Sequence, residues 1–144
     1  MKKHLRLIIA SIACFTAGII VTKAFNGNAQ EGYILDHEKD LATEQPGPHD
    51  GGGKTKAFNF FAKAADPKLV FRKRILYPGS SIGYHLQEAD EIYYIVSGRG
   101  EMTMNGKTFT VQSGDGVLTR PGSSHGLKPT GNDSLVVIIN YQAK

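Results

Sequence analysis

The chain has 144 residues, enough for one ordinary domain with an enclosed core, and a formal charge of +4. That charge is local: four of the 17 Lys and Arg (Lys2, Lys3, Arg6 and Lys23) precede Gln30, none of the 13 Asp and Glu does, and the remainder is balanced. A neutral body with no basic run and no basic/aromatic interleaving lacks the footprint of a phosphate-backbone binder and argues against nucleic acid as a partner.

At the start of the chain, a basic lead is followed by an uncharged, mostly apolar run from Leu7 to Thr22 and then by Gly27-Asn28-Ala29. This three-part layout predicts a secretory signal over residues 1–29, with cleavage after Ala29 at a small-x-small site. The alternative is an uncleaved anchor that tethers the protein to a membrane through residues 5–22, although the run is shorter than the ~20 residues of an ordinary spanning helix. Either way the expected location is periplasmic or secreted, or membrane-anchored from outside. Cys14 is the only cysteine and lies within the apolar run. The rest of the chain therefore has no thiol chemistry, disulfide or thiolate metal site, as suits an oxidising compartment.

Residues 30–56 show little periodicity, and Pro46-Gly-Pro-His-Asp-Gly-Gly-Gly53 is rich in turn formers. This composition predicts a flexible linker or arm, a spacer in preference to a lid. From residue 57 to 144 the pattern changes to short β-type segments, with no stretch periodic enough for a substantial helix. Strands are expected near 57–61, 69–77, 82–85, 91–97, 101–104, 107–111, 116–119, 125–128 and 135–141. Asn105-Gly106 predicts a tight hairpin, and Pro78-Gly79 and Pro121-Gly122 predict type II turns. Many short strands with this turn chemistry indicate an all-β sandwich, jelly roll or small barrel.

Four residues stand out as a candidate site. His85 and Gln87 are two apart, so an extended strand points both to one face. Glu91 opens the next strand, and His125 follows the second Pro-Gly turn. The spacing Gly79…His85-x-Gln87…Glu91…Gly98 resembles the first motif of the cupin superfamily, with Gln87 where a second histidine is usual. The stretch Gly114…Gly122-x-x-His125 resembles the second motif, with Arg120 in place of its proline and Pro129 in place of a frequent asparagine. The resemblance covers roughly Leu69 to Tyr141. It implies a double-stranded β-helix, or jelly-roll barrel, with a metal in the barrel mouth; it does not imply one reaction, because the fold hosts many. It also implies a homodimer, since cupins commonly pair through their strands.

Two imidazoles, a carboxylate and an amide oxygen make a mixed N/O set suited to one divalent ion, Mn, Fe, Ni or Zn. If Gln87 stays off the metal, His85, Glu91 and His125 alone form a two-His-one-carboxylate triad of the iron oxygenase type. Tyr93 shares the face of Glu91 and is the candidate catalytic side chain that steadies a ligand. Arg72 and Arg74 alternate with Phe71, Ile75 and Tyr77, and the commoner placement puts the arginines on a solvated outer face; turned inward they form a carboxylate or phosphate clamp. Phe58, Phe60 and Phe61 are expected on the barrel exterior or at a subunit contact. His37 and His49 fall in the arm and read as solvated loop residues. The expected function is Lewis-acid chemistry on a small polar molecule, a sugar or hydroxy acid. An Fe(II) dioxygenase and a ligand-binding barrel without turnover are the alternatives.

Overall fold

Alternating β-branched and aromatic residues, interrupted every few positions by Gly, Pro or Asn, leave the backbone no stable local hydrogen-bonding partner except a neighbouring strand. The computed structural model, which describes residues 32–143, resolves this demand with ten strands and one short 3-10 turn (Glu38–Asp40) among those residues. The strands are β1 (Ala42–Gly47), β2 (Gly52–Phe60), β3 (Leu69–Leu76), β4 (Ile82–Leu86), β5 (Glu91–Ser97), β6 (Arg99–Met104), β7 (Lys107–Gln112), β8 (Gly116–Thr119), β9 (Ser124–Pro129) and β10 (Leu135–Gln142). They form a six-stranded sheet in the order β1-β2-β3-β10-β5-β8 and a four-stranded sheet in the order β4-β9-β6-β7, all antiparallel. This is the expected all-β jelly roll. The chain divides after Ile34, and Leu35–Lys144 form one compact unit. The expected signal or anchor, with Cys14 and the tether through residues 5–22, lies outside the described residues. Among the described residues no helix is long and apolar enough to cross a membrane.

From β3 onward the strands fall within two residues of their expected bounds. Asn105 and Gly106 both take positive φ, at 49° and 77°, and join β6 to β7 with Met104 paired to Lys107. The two Pro-Gly turns close with Ser80 N–H donating to Tyr77 O and Ser123 N–H to Arg120 O, both at 3.0 Å.

The expected flexible arm is a structured hairpin. β1 lies wholly within residues 30–56, and β2 begins there and crosses the boundary drawn at residue 57, with Ala42 paired to Phe58 and Gln45 to Thr55. Its glycines serve packing. The hairpin tip crosses onto β4, where Pro48 O accepts from both Gly51 N–H (3.1 Å) and Gly83 N–H (2.9 Å). A Cβ on Gly51 would collide with the Ser81 backbone, and one on Gly83 with the His49 carbonyl. Composition alone reads such a run as loose because it does not reveal the opposing backbone.

Each strand of the large sheet presents one set of side chains to the interior. On β3 that set is Arg72, Arg74 and Leu76, the reverse of the expected arrangement: Arg74 is 6% exposed and Leu76 is fully buried. Phe71 instead packs on the outer face against Phe60, ring centroids 5.6 Å apart. Phe58, expected outside, is also outward, yet it is buried within this chain under Lys73, whose ammonium lies 5.1 Å from its ring and pairs with Glu38 at 2.6 Å. β3 runs between β2 and β10 and is covered on both faces, so alternation of polarity does not reveal which face is inner. Leu76, Ile95, Met102, Leu127, Leu135 and Val137 fill the core.

Candidate metal centre

β4 and β9 pair so that His85 lies directly opposite His125, and their ring centroids are 4.3 Å apart. Glu91 opens β5 on the facing sheet, and Thr119 Oγ1 donates to its backbone carbonyl at 3.1 Å. One ligand atom from each of His85, Glu91 and His125 lies within 4.8 Å of the others. The group draws on both sheets, so closing the barrel is what assembles it.

The hydrogen bonding of these side chains suits a cation. His85 Nδ1 meets the carbonyl of Gly83 at 2.8 Å. A carbonyl only accepts, so the proton sits on Nδ1 and the Nε2 lone pair is left for a ligand, the arrangement usual for metal-bound histidine. Glu91 Oε2 is buried without a hydrogen-bond partner and lies 3.3 Å from His125 Nε2. A buried carboxylate oxygen without a hydrogen bond is costly unless a positive charge faces it. His85, Glu91 and His125 therefore form a group that could hold one ion.

Gln87 lies just past the end of β4. Its backbone is pinned to the β8–β9 turn, its N–H donating to Ser123 O at 2.8 Å and its carbonyl accepting from Gly122 N–H at 2.9 Å. Gln87 lines the same cleft as His85 and Glu91. Tyr93 is buried beside the group, its hydroxyl 3.0 Å from His125 Nε2. Burial, and after it the Glu91 charge, pushes the phenol well above its ordinary range, so it stays an O–H.

His49 is not a free loop residue. Its ring stacks on His85, centroids 3.5 Å apart and planes 5° from parallel, and it lines the cleft as well. Burial, and next the neighbouring His85, lowers its pKa. His49 and Asp50 both adopt left-handed backbone, φ 53° and 59°, as the central residues of a tight turn closed by Gly51 N–H on Pro48 O. The central pair is His49-Asp50 and not an Asn-Gly or Asp-Gly pair, so the usual hairpin signal is absent here. The cleft encloses ≈ 320 Å³ and is also bordered by Tyr141, which is paired across the sheet with Glu91.

A jelly-roll barrel with two histidines and a glutamate at its mouth places the chain in a class of small β-barrel proteins with a site that could hold a metal ion. Residues 73–141 match the family model described as "Cupin domain". The chain is 38% identical over 88 residues, 59% of its length and 73% of the relative's, to an oxalate-binding protein of Thermotoga maritima. It is 28% identical over 95 residues, 65% of its length, to a 5-nitrosalicylic acid 1,2-dioxygenase of Bradyrhizobium sp, of which it spans 43%. Among solved structures, a "predicted oxalate decarboxylase" of Thermotoga maritima superposes with a TM-score of 0.70 at 29% identity, covering 77% of this chain and 100% of that one. The chain belongs to the cupin family.

Proposed function

We propose that this cupin is an exported protein that holds one divalent cation with His85, Gln87, Glu91 and His125 and uses it to bind, and act by Lewis-acid chemistry on, a small organic acid. The observation that carries the reading is the buried Glu91 carboxylate, its Oε2 without a hydrogen bond, grouped with the two imidazoles. The oxalate-binding relative supports an acid over a sugar. When bound, the ion supplies polarisation of a carboxylate or hydroxyl oxygen. The chain's own contribution is positional. His85 is fixed in one tautomer by Gly83, Tyr93 orients His125 through its hydroxyl, and Gln87 offers an amide oxygen at the rim. Export rests on the leader-like residues 1–29. A homodimer is supported by the exposed apolar side chains Ile92, Tyr94 and Leu118 on β5 and the edge strand β8.

The second reading, an Fe(II) dioxygenase, is favoured by the two-His-one-carboxylate composition of the triad and by the dioxygenase relative. Metal analysis of the purified chain, followed by melting with and without chelator, tests both. One ion per chain is expected, and saturation at about 100 times Kd adds about 2.7 kcal/mol that chelation removes. Protein that takes up no Mn, Fe, Ni or Zn overturns the metal-centred reading. Oxygen uptake with Fe(II) and an aromatic hydroxy acid would move the assignment to the dioxygenase.

A further inference from the structure

The metal group leaves unexplained the two arginines that β3 turns into the barrel. Arg74 is 94% buried by its 6% exposure, and its partners are all neutral: Thr55 Oγ1 at 2.9 Å, and the Gln45 amide oxygen, in the orientation that satisfies both groups, at 3.1 and 3.2 Å. Arg72 Nε is buried with no acceptor at all. Among the described residues the ion pairs all lie elsewhere, and none brings a carboxylate to either guanidinium.

A buried guanidinium at Arg74 and a half-buried one at Arg72, two residues apart and without a counter-charge, work against folding. Core residues of similar volume would serve stability better, so a merely structural role accounts poorly for the pair. Its placement relative to the cleft points to a ligand. Arg72 lies 5.5 Å from the ring centroid of Tyr141, and Tyr141 borders the cleft with His85, Gln87 and Glu91. In the cross-strand register Arg72 stands opposite Ile139, and Ile139 opposite Tyr93. Arg72 thus starts two strand spacings, about 10 Å, from Tyr93, a gap that an arginine side chain and a small ligand fill between them. A guanidinium fork matches the two oxygens of a carboxylate.

We infer that Arg72 and Arg74 form the anion-recognising wall of the ligand cavity: Arg72 contacts one carboxylate of a small dicarboxylate whose other carboxylate lies at the metal group, and Arg74, held by Thr55 and Gln45, adds its charge from behind. This rests on the metal-centred reading for the second carboxylate only. It names the substrate class as a dianion and makes β3 the element that distinguishes a dicarboxylate from a monocarboxylate.

The test is calorimetric titration of the full chain, Mn(II)-loaded and metal-free, with oxalate, malonate, acetate and inorganic phosphate. In the loaded protein the better dicarboxylate binds about tenfold or more tighter than acetate, the worth of one charge-assisted contact. Arg72→Gln removes that advantage with Mn(II) content unchanged, and Arg72→Lys restores part of it. Arg74→Met, matched in volume and folded by circular dichroism, weakens both dicarboxylates and keeps the metal. Metal-free protein still binds dicarboxylate weakly and in a salt-sensitive way, and Arg72→Gln abolishes this too. That arm separates the two ideas, because a chain that takes no metal sinks the metal-centred reading while the arginine wall is still read on metal-free protein. Dicarboxylate binding by Arg72→Gln within about twofold of wild type, no dicarboxylate binding in either state, or a preference for phosphate overturns the inference.

Discussion

The two ends of this barrel are built from the same strands and have opposite chemistry. Along β5 the inward side chains run Ile95, Tyr93, Glu91; along β9 Leu127 is followed toward the site by His125; along β10 Leu135 and Val137 give way to Tyr141; along β3 Leu76 gives way to Arg74 and Arg72. One end is an apolar plug in which the described side chains are almost wholly shielded from water. The other gathers buried Arg74, half-buried Arg72, buried Glu91 and fully buried His125 beside an open cleft that His49, His85 and Glu91 line. The plug provides stability that the polar end, with its partnerless groups, gives up. A barrel can hold so poorly satisfied a site because its strands continue into a well-packed core.

The largest effect is expected from breaking the plug. Leu76 is fully buried, and Leu76→Ala removes about 2–5 kcal/mol in urea denaturation. Metal affinity of the folded variant stays at the wild-type value, and a parallel loss would mean that the two ends are not separable. A smaller change, at the polar end, sharpens the contrast. Tyr93→Phe leaves His125 Nε2 without its hydroxyl partner and costs about 1–2 kcal/mol, and metal affinity falls as the imidazole loses its orientation. Unaltered metal affinity in this variant would remove Tyr93 from the site.

The smallest effect lies on the hairpin surface, outside both ends. The Lys54 ammonium, 3.0 Å from Glu44, holds that carboxyl below its usual range, first through the hydrogen bond and then through its charge. A depressed acid pKa contributes stability above the ordinary carboxylate pKa, and the contribution is lost as pH falls through the lowered value. Glu44→Gln is therefore expected to lower the melting temperature slightly at neutral pH and not at all once Glu44 is protonated in acid. High salt should erase the difference, because the pair is exposed. A shift that persists in acid or in high salt would mean that Glu44 acts by packing.

The strands from β3 onward follow from local information alone. Alternation, the Asn105-Gly106 turn and the two Pro-Gly turns act within a few residues, so their consequences are visible in the chain itself. The spacing of His85 and His125 was legible for the same reason, each lying on a strand that a Pro-Gly turn opens, and Glu91 was legible as the first residue of the alternating segment that becomes β5. The hairpin of residues 42–60 was not. Its glycines read as slack until β4 is placed against them, and the stacking of His49 on His85 exists only because that contact forms. The direction of Arg72 and Arg74 was undecidable as well, because a strand covered on both faces carries no polarity signal for its inner side.

The amino-acid order by itself determined the strands and turns from β3 onward and the metal-type triad, all properties of near neighbours or of fixed spacing. Tertiary structure alone decided which face of β3 is inside, what the glycine-rich hairpin packs on, and which charges are left without a partner. Those depend on which backbone lies opposite, and contacts between residues distant in sequence leave no trace in local pattern.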